Sequence, residues 1–221
     1  MKKVIIIGNS DYARLIREYV DELDEYHCDG FSVDGAYISE SKIDGLPVIA
    51  FEEIKSFFPV DSVKLILAIG YQKLGKTRRD LYSRYSELGY CFTNYIHPSA
   101  HVDKKCVMGN GNIFLESVIV QKRVKIGNGN VFFQDSMISH DDVVGNFNTF
   151  CGRSLLCGYV KVADCSFFGA GSIVKDKIEV ASYNFVGAGA YLHKSTPENH
   201  AILPMLGTSY KDYAEKISML L

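Results

Sequence analysis

Residues 121–150 read QKRVKI, GNGNVF, FQDSMI, SHDDVV and GNFNTF, which are consecutive blocks of six residues that each end in a large apolar residue. The same position stays large and apolar at every sixth residue from Val102 to Leu192, sixteen times in succession. In a chain with 47% hydrophobic residues, chance gives such a run with a probability on the order of 10⁻⁵. An α-helix is excluded here, because it requires apolar residues three and four positions apart.

A second period of eighteen residues lies over the first. Apolar-small-polar triplets recur at this spacing, at Met108-Gly109-Asn110, Ile126-Gly127-Asn128, Val144-Gly145-Asn146, Val162-Ala163-Asp164 and Val180-Ala181-Ser182. Three blocks of six therefore form one structural unit. A triangular coil of three short strands explains both periods, since one apolar residue per side points inward and successive coils stack about 4.8 Å apart through parallel ladders.

The first 95 residues show a different pattern, in which buried strands alternate with helices. An apolar run at residues 4–7 precedes a helix, and a second run at residues 63–69 precedes an amphipathic helix over residues 74–88. This alternation predicts a parallel sheet covered on both faces. We therefore predict an α/β domain at residues 1–95, a β-helix at 96–195 and a tail at 196–221 that includes a terminal helix at 210–221.

Candidate binding residues follow the predicted strands of the α/β domain. Ligands bind beyond the carboxyl ends of such strands, so Gly8-Asn9-Ser10, Asp34 and Gly70-Tyr71 are expected to converge on one crevice. The free N–H groups of a helix that begins near Ser10 suit an anionic group. The GxGxxG fingerprint is absent except for its first glycine, which argues against bound NAD.

Composition excludes several other classes of protein. The 24 Lys and Arg residues balance 26 Asp and Glu residues, without the basic excess of a nucleic-acid binder. The N-terminal apolar run is too short for a signal peptide or a membrane span, so a cytoplasmic protein is expected. Six cysteines without CxxC spacing are typical of reduced thiols that serve as small hydrophobic side chains.

With these features, the sequence resembles the hexapeptide-repeat sugar acyltransferases of the sialic-acid O-acetyltransferase and bacillosamine-pathway N-acetyltransferase type. The resemblance covers nearly the whole chain, and it is carried by the residues 4–8, 45–49, 68–70, 96–100 and 139–145, read as VIIIG, GLPVI, AIG, IHPSA and SHDDVVG. It implies a Rossmann-like α/β domain, then a left-handed parallel β-helix with a short C-terminal tail. It also implies a homotrimer whose active sites lie between neighbouring β-helices, with acyl-CoA in the groove and a nucleotide sugar held by the N-terminal domain.

The resemblance points to His140 as the catalytic base. This residue lies two positions after the inward-facing Ile138, so its side chain is expected to point outward. A neutral imidazole can take a proton from an attacking amine or hydroxyl and return it to a leaving thiolate. The adjacent carboxylates Asp141 and Asp142 are both candidates to orient the ring.

Further site residues are carried over from the family by position. Gly158 would donate its N–H to the thioester oxygen, Ala170 and Gly187-Ala188 would line the pantetheine path, and Lys194 would meet the CoA phosphates. Thr149 stands where the family has a second histidine, so it is a further candidate for substrate binding, and the acyl group stays open. The segment from Gly70 to Arg78 resembles the subset that acts on nucleotide-linked 4-amino-4,6-dideoxy sugars, with Tyr71 against the base and Arg78 near the nucleotide.

The leading functional hypothesis is an acyl-CoA-dependent N-acyltransferase, using acetyl-CoA or another acyl-CoA, for a nucleotide-linked amino sugar in surface-glycan synthesis. The alternatives are an O-acetyltransferase for a sialic-acid-type sugar and a non-catalytic trimeric scaffold. A zinc carbonic anhydrase with this repeat would need three convergent histidines. His101, His140 and His193 lie too many coils apart for that, so no metal is expected. The nucleotide, the sugar and the acyl chain stay open.

Overall fold

The N-terminal part is an α/β sheet of five strands, and a computed structural model describes it together with the rest of residues 1–205. The strands are β1 (Lys2–Ile7), β2 (Tyr26–Val33), β3 (Lys42–Ile43), β4 (Leu46–Ala50) and β5 (Lys64–Leu67), and the helices are α1 (Asp11–Asp21), α2 (Ile54–Phe57) and α3 (Lys76–Glu87), with 3-10 turns at Gly35–Tyr37, Phe51–Glu53, Val60–Ser62 and Gln72–Gly75. The strand order is β3-β4-β2-β1-β5, parallel except for β3. The chain therefore reverses its direction of winding at β1, between β2 and β5.

The second part is a three-sided parallel β-helix built from two-residue strands. In chain order they are β6 (Tyr95–Ile96), β7 (His101–Val102), β8 (Val107–Met108), β9 (Ile113–Phe114), β10 (Ile119–Val120), β11 (Lys125–Ile126), β12 (Val131–Phe132), β13 (Met137–Ile138), β14 (Val143–Val144), β15 (Thr149–Phe150), β16 (Leu155–Leu156), β17 (Lys161–Val162), β18 (Phe167–Phe168), β19 (Ile173–Val174), β20 (Glu179–Val180), β21 (Phe185–Val186), β22 (Tyr191–Leu192) and β23 (Ala201–Ile202). Every third strand pairs in register, as Ile119 does with Met137. The periods of six and eighteen in the sequence thus correspond to one side and one coil.

The interior of the β-helix is filled by the residues of the period of six. Phe114, Phe132, Phe150 and Phe168 stack ring on ring with centroids 4.6–5.0 Å apart. At one corner, buried asparagines form a ladder in which each side-chain oxygen accepts the N–H of the next coil, as Asn130 Oδ1 does from Asn148 at 2.9 Å. This ladder satisfies polar groups that burial would otherwise leave costly.

One residue at each corner has left-handed backbone geometry. These residues recur every six positions, at Gly111, Ser117, Arg123, Gly129, Asp135, Asp141, Phe147, Arg153, Tyr159, Cys165, Gly171, Lys177, Tyr183 and Gly189. A non-glycine residue pays about 1–2 kcal/mol for this conformation, which the packed interior offsets. Side chains eighteen residues apart therefore leave neighbouring coils at the same corner.

The two parts share a buried junction. Tyr95, Ile113 and Val131 occupy outer positions of the β-helix, yet they are buried against the core around β1 and α1. In addition, Gly75 begins α3 so close to the β-helix that a Cβ there would overlap the carbonyl oxygen of Phe147. The predicted helix at 210–221 lies outside the described residues. In the part of the chain that the structure describes, no helix combines the length and the apolarity that a bilayer crossing requires.

Candidate active site

His140 lies just after β13, at the corner of a coil, with its side chain 48% exposed. Its Nδ1 lies 2.8 Å from Asp141 Oδ2, and its backbone N–H donates to Gln121 Oε1 at 2.9 Å. The ring of Tyr159 meets the imidazole edge-on, with centroids 5.3 Å apart. No hydrogen-bond partner for Nε2 exists among residues 1–205. With Nδ1 donating to Asp141, Nε2 carries the free lone pair that a general base needs.

Asp141 orients the imidazole and is itself held by an arginine. Its backbone is left-handed, with φ of 64°, which brings its side chain beside that of Arg123 on the preceding coil. Arg123 Nε donates to Oδ1 at 2.7 Å and Nη2 donates to Oδ2 at 2.8 Å. The guanidinium, and then the imidazole, hold the pKa of the Asp141 carboxyl well below its usual range. Asp141 is therefore a carboxylate at neutral pH.

Asp142 lies inside the β-helix and does not orient His140. It occupies the interior position that Val124, Val160 and Ile178 occupy in the other coils. Its Oδ1 accepts the N–H of Val160 at 2.8 Å, while Oδ2 is buried without a partner in the described chain. Burial raises the pKa of Asp142 to about 7. Of the two candidate carboxylates, the geometry therefore selects Asp141 for the ring.

Asp142→Asn is expected to flatten the pH dependence of stability. Because the folded pKa lies near 7 and the unfolded value near 3.9, the contribution of Asp142 to stability is greatest below about pH 4. This contribution to the unfolding free energy falls as the pH rises to about 7, by about 2–4 kcal/mol. The asparagine keeps the acceptor for Val160 and does not ionise, so the fall disappears. Urea denaturation between pH 4 and pH 8 measures the change in unfolding free energy. Asp135→Asn is the control, because Asp135 is a half-exposed carboxyl at a corner of the β-helix. An equal fall in wild type and Asp142→Asn would contradict the assignment.

Gly158 lies directly beside the imidazole. Its backbone has φ of +93°, and a Cβ there would lie 3.3 Å from His140 Cε1 and 3.5 Å from Nε2. Its carbonyl accepts the Lys177 N–H at 3.1 Å, whereas its own N–H finds no acceptor within residues 1–205. A residue that adjoins the imidazole therefore has a backbone N–H without an acceptor in the described chain, and a reacting carbonyl oxygen needs such a donor.

The other residues predicted to hold the acyl-CoA lie on the coils that follow. Ala170, Ala188 and Lys194 are exposed. Gly187 is buried beneath the final strand, and a Cβ there would lie 3.0 Å from Pro204 Cδ. Gly187 therefore packs against the segment at Pro204. The three exposed residues lie at the surface, where a ligand could reach them.

A crevice of about 380 Å³ opens at the carboxyl ends of β1, β2 and β5. Of the residues predicted to bind substrate there, five line it: Gly8, Asn9, Ser10, Asp34 and Gly70. They meet because this is the point at which the winding of the sheet reverses. Asn9 Nδ2 donates to the Tyr37 carbonyl at 2.8 Å, which fixes the amide at the crevice wall.

Arg84 forms one end of this crevice and was not identified from the sequence. Its guanidinium makes a two-point ion pair with Asp34, at 2.8 and 2.9 Å. It also lies 4.2 Å above the ring of Phe51. No sequence signal links residues fifty positions apart on different elements, so only the folded chain shows this pair.

Three predicted substrate residues are placed elsewhere. Tyr71 lies outside the crevice, on the β-helix surface, with its ring 5.1 Å from that of Phe167. Arg78 is fully buried at the junction, and its donors go to main-chain carbonyls, including Gly129 at 2.8 Å. Thr149 is buried beside it and accepts from Arg78 Nη2 at 3.0 Å. This corrects the expectation for Arg78 and Thr149, whose side chains bond each other inside the protein instead of facing a ligand.

The fold and this site together define a two-part hexapeptide-repeat protein with an exposed, carboxylate-oriented histidine. Residues 3–85 match the family model of the PglD N-terminal domain. No curated protein matches the sequence.

Solved structures share the whole architecture. The acetyltransferase domain of PglB from Neisseria gonorrhoeae is 20% identical with a TM-score of 0.82, over 92% of this chain and 97% of that chain. PerB from Caulobacter crescentus, solved with CoA and GDP-perosamine, is 22% identical with a TM-score of 0.81, over 92% and 94%. WeeI from Acinetobacter baumannii is 21% identical with a TM-score of 0.79, over 92% and 97%. The predicted Rossmann-like α/β domain followed by a left-handed parallel β-helix is confirmed, and the resemblance to the sugar acyltransferases holds at the level of the fold.

Proposed function

We propose that this protein is an acyl-CoA-dependent N-acyltransferase that acts on a nucleotide-linked amino sugar in surface-glycan synthesis. The observation that carries the proposal is the half-exposed His140, with Nδ1 bound to Asp141 and Nε2 unpartnered within residues 1–205. Gly158, whose N–H has no acceptor among the same residues, adjoins the imidazole. A base and an oxyanion donor at one surface are the groups that acyl transfer requires.

The same residues account for the reaction step by step. The acyl-CoA supplies an acyl group activated as a thioester. His140 Nε2 takes a proton from the acceptor amine as the amine nitrogen forms its bond to the carbonyl carbon. Gly158 N–H stabilises the negative charge that develops on the carbonyl oxygen. When the carbon–sulfur bond breaks, the protonated His140 returns its proton to the sulfur, and Asp141 stabilises the imidazolium between the two transfers.

The N-terminal crevice suits the nucleotide part of the acceptor. Its lining includes the N-terminal end of α1 at Ser10 and the side chain of Lys73, and both attract a diphosphate. PerB holds GDP-perosamine, an amino sugar on a nucleotide, together with CoA. The PglB acetyltransferase domain holds acetyl-CoA. These ligands support an amine as the acceptor and acetyl as the first acyl group to test.

We infer a cytoplasmic homotrimer in which the crevice of one subunit faces the His140 surface of another. The proposed domains are residues 1–95 for the nucleotide sugar, 96–195 for acyl transfer and 196–221 as a tail. Light scattering after gel filtration should then give three times the 24.7 kDa of the chain, about 74 kDa. A monomer that is fully active would contradict a shared site.

The acceptor class is tested with purified protein, acetyl-CoA and a panel of UDP-, dTDP- and GDP-linked 4-amino-4,6-dideoxy sugars. Each amino sugar is paired with its 4-hydroxy analogue, and free sialic acid is included. Release of CoA thiol with an amine and not with its hydroxyl partner is the expected result. Release with hydroxyl acceptors alone would favour the O-acetyltransferase. No release with any acceptor or any acyl-CoA would favour the scaffold.

A further inference from the structure

A stack of polar side chains stands at the corner that carries His140. Arg123, Asp141 and Tyr159 are eighteen residues apart and all have left-handed backbones. They therefore leave three successive coils at the same corner, about 4.8 Å apart. The fold does not require an arginine at this position, because the same left-handed position carries residues of many types in other coils, among them Ser117, Phe147 and Gly171.

The contacts link the guanidinium to the imidazole through one oxygen atom. Asp141 Oδ2 accepts both from Arg123 Nη2 and from His140 Nδ1, each at 2.8 Å. Arg123 Nε takes the second oxygen at 2.7 Å. Such a two-point contact fixes the plane of the carboxylate as well as its position. Arg123 therefore determines how Asp141 Oδ2 is oriented toward His140 Nδ1.

The guanidinium also changes the charge that the imidazole meets. A carboxylate alone stabilises a protonated imidazole strongly, whereas a carboxylate already paired with a cation does so much less. Arg123 is 64% exposed, so solvent and salt weaken its effect without removing it. A base that remains unprotonated near neutral pH accepts the proton of an amine, while an imidazolium cannot.

We propose that Arg123 is a positioning residue, which fixes the Asp141 carboxylate against His140 Nδ1 and offsets the negative charge that this carboxylate presents to the imidazole. The inference rests on the proposed role of His140 as base. It assigns to Arg123 a part in the reaction without contact to either substrate.

Other ionisable groups face the same ring or its carboxylate and have to be taken into account. On the coil of His140 there is the buried Asp142, and on the next coil there is Tyr159, at the ring edge. On the preceding coil Lys122 meets Asp141 through its carbonyl. The hydrogen bonds from the described residues to the Asp141 carboxylate come from Arg123 and His140, so a change at Arg123 acts on this pair first.

The test compares Arg123→Gln with Arg123→Lys and with a matched control, Arg153→Gln. Arg153 is also a left-handed corner arginine, and it pairs with Asp135 at 3.5 Å, away from any histidine of the site. The ring nitrogens of His140 are followed by NMR as the pH is changed, which needs no substrate. In Arg123→Gln the midpoint of the imidazole titration is expected to move up by about one pH unit. Arg123→Lys should restore part of this shift, and Arg153→Gln should leave the midpoint unchanged.

The acid limb of the pH profile of kcat/KM gives the second readout and should move by the same amount. An unchanged imidazole midpoint in folded Arg123→Gln would overturn the proposal and leave Arg123 as a structural residue. If the imidazole midpoint shifts in Arg123→Gln but the wild type transfers no acyl group to any acceptor, the role of Arg123 toward His140 is supported and the proposed function is contradicted.

Discussion

Replacing His140 with alanine is expected to lower kcat for acyl transfer by about 10²–10⁴-fold. In the proposed mechanism, this variant lacks the group that takes the proton from the amine and returns it to the sulfur. The N–H of Gly158 stays in place, so residual turnover above the uncatalysed rate is expected. Thiol release at saturating acetyl-CoA and acceptor measures the change in kcat directly.

The stability of His140→Ala should be close to that of the wild type. The imidazole is half exposed, and its side chain contacts Asp141 and the edge of Tyr159. Thermal unfolding of the variant therefore separates a chemical defect from a folding defect. His101→Ala is the matched control, because His101 is an exposed histidine on the first coil of the same β-helix. If kcat of His140→Ala stays within threefold of the wild type, His140 is not the base.

The β-helix could be predicted almost completely from the sequence because its interactions are local in register. Each coil repeats the same interior position. Phe132 and Phe150, for example, are eighteen residues apart in the sequence, and their rings stack in the structure. The choice between the two carboxylates was also present in the sequence. Asp142 is in register with Val124 and Val160, which are interior, and Asp141 is in register with Arg123, which is at a corner. The spacing of eighteen could have identified the Arg123–Asp141 pair.

The crevice was predictable in outline, since strand ends converge at the reversal of winding. Its finer contacts were not, because they join side chains that are distant in sequence, as Arg84 and Asp34 are. The role of Arg78 was beyond sequence reasoning for a further reason. Its partners are main-chain carbonyls, which every residue has, so that no pattern of residue types reveals them.

The Arg78 guanidinium is buried without a carboxylate partner among the described residues. It donates to the carbonyls of Gly70, Gly129, Phe147 and Asn148 at 2.8–2.9 Å. Burial lowers its pKa to about 10, so the group stays charged at neutral pH. These carbonyls belong to the loop before α3 and to two coils of the β-helix, which means that one side chain joins both parts of the protein.

Arg78→Met is therefore expected to lower the free energy of unfolding by about 3–5 kcal/mol. Methionine fills much of the volume but leaves the carbonyls without donors at a dry interface. The free energy of unfolding of Arg78→Lys should lie between those of the wild type and Arg78→Met, since an ammonium has three donors and cannot match the planar geometry of the guanidinium. Urea denaturation measures the loss. Arg79→Met is the control, because Arg79 is the neighbouring arginine and makes its contacts at the surface with Asp80 and Tyr183.

The shape of the unfolding transition shows whether a substitution weakens the junction or the core of either part. If Arg78 holds the two parts together, Arg78→Met should unfold in two steps, because the α/β sheet and the β-helix each keep an apolar core of their own. The rate of acyl transfer should fall even where both parts remain folded, since the crevice and His140 lie on different sides of this junction. A single transition at the wild-type midpoint would show that the carbonyls are satisfied by water and that Arg78 contributes little.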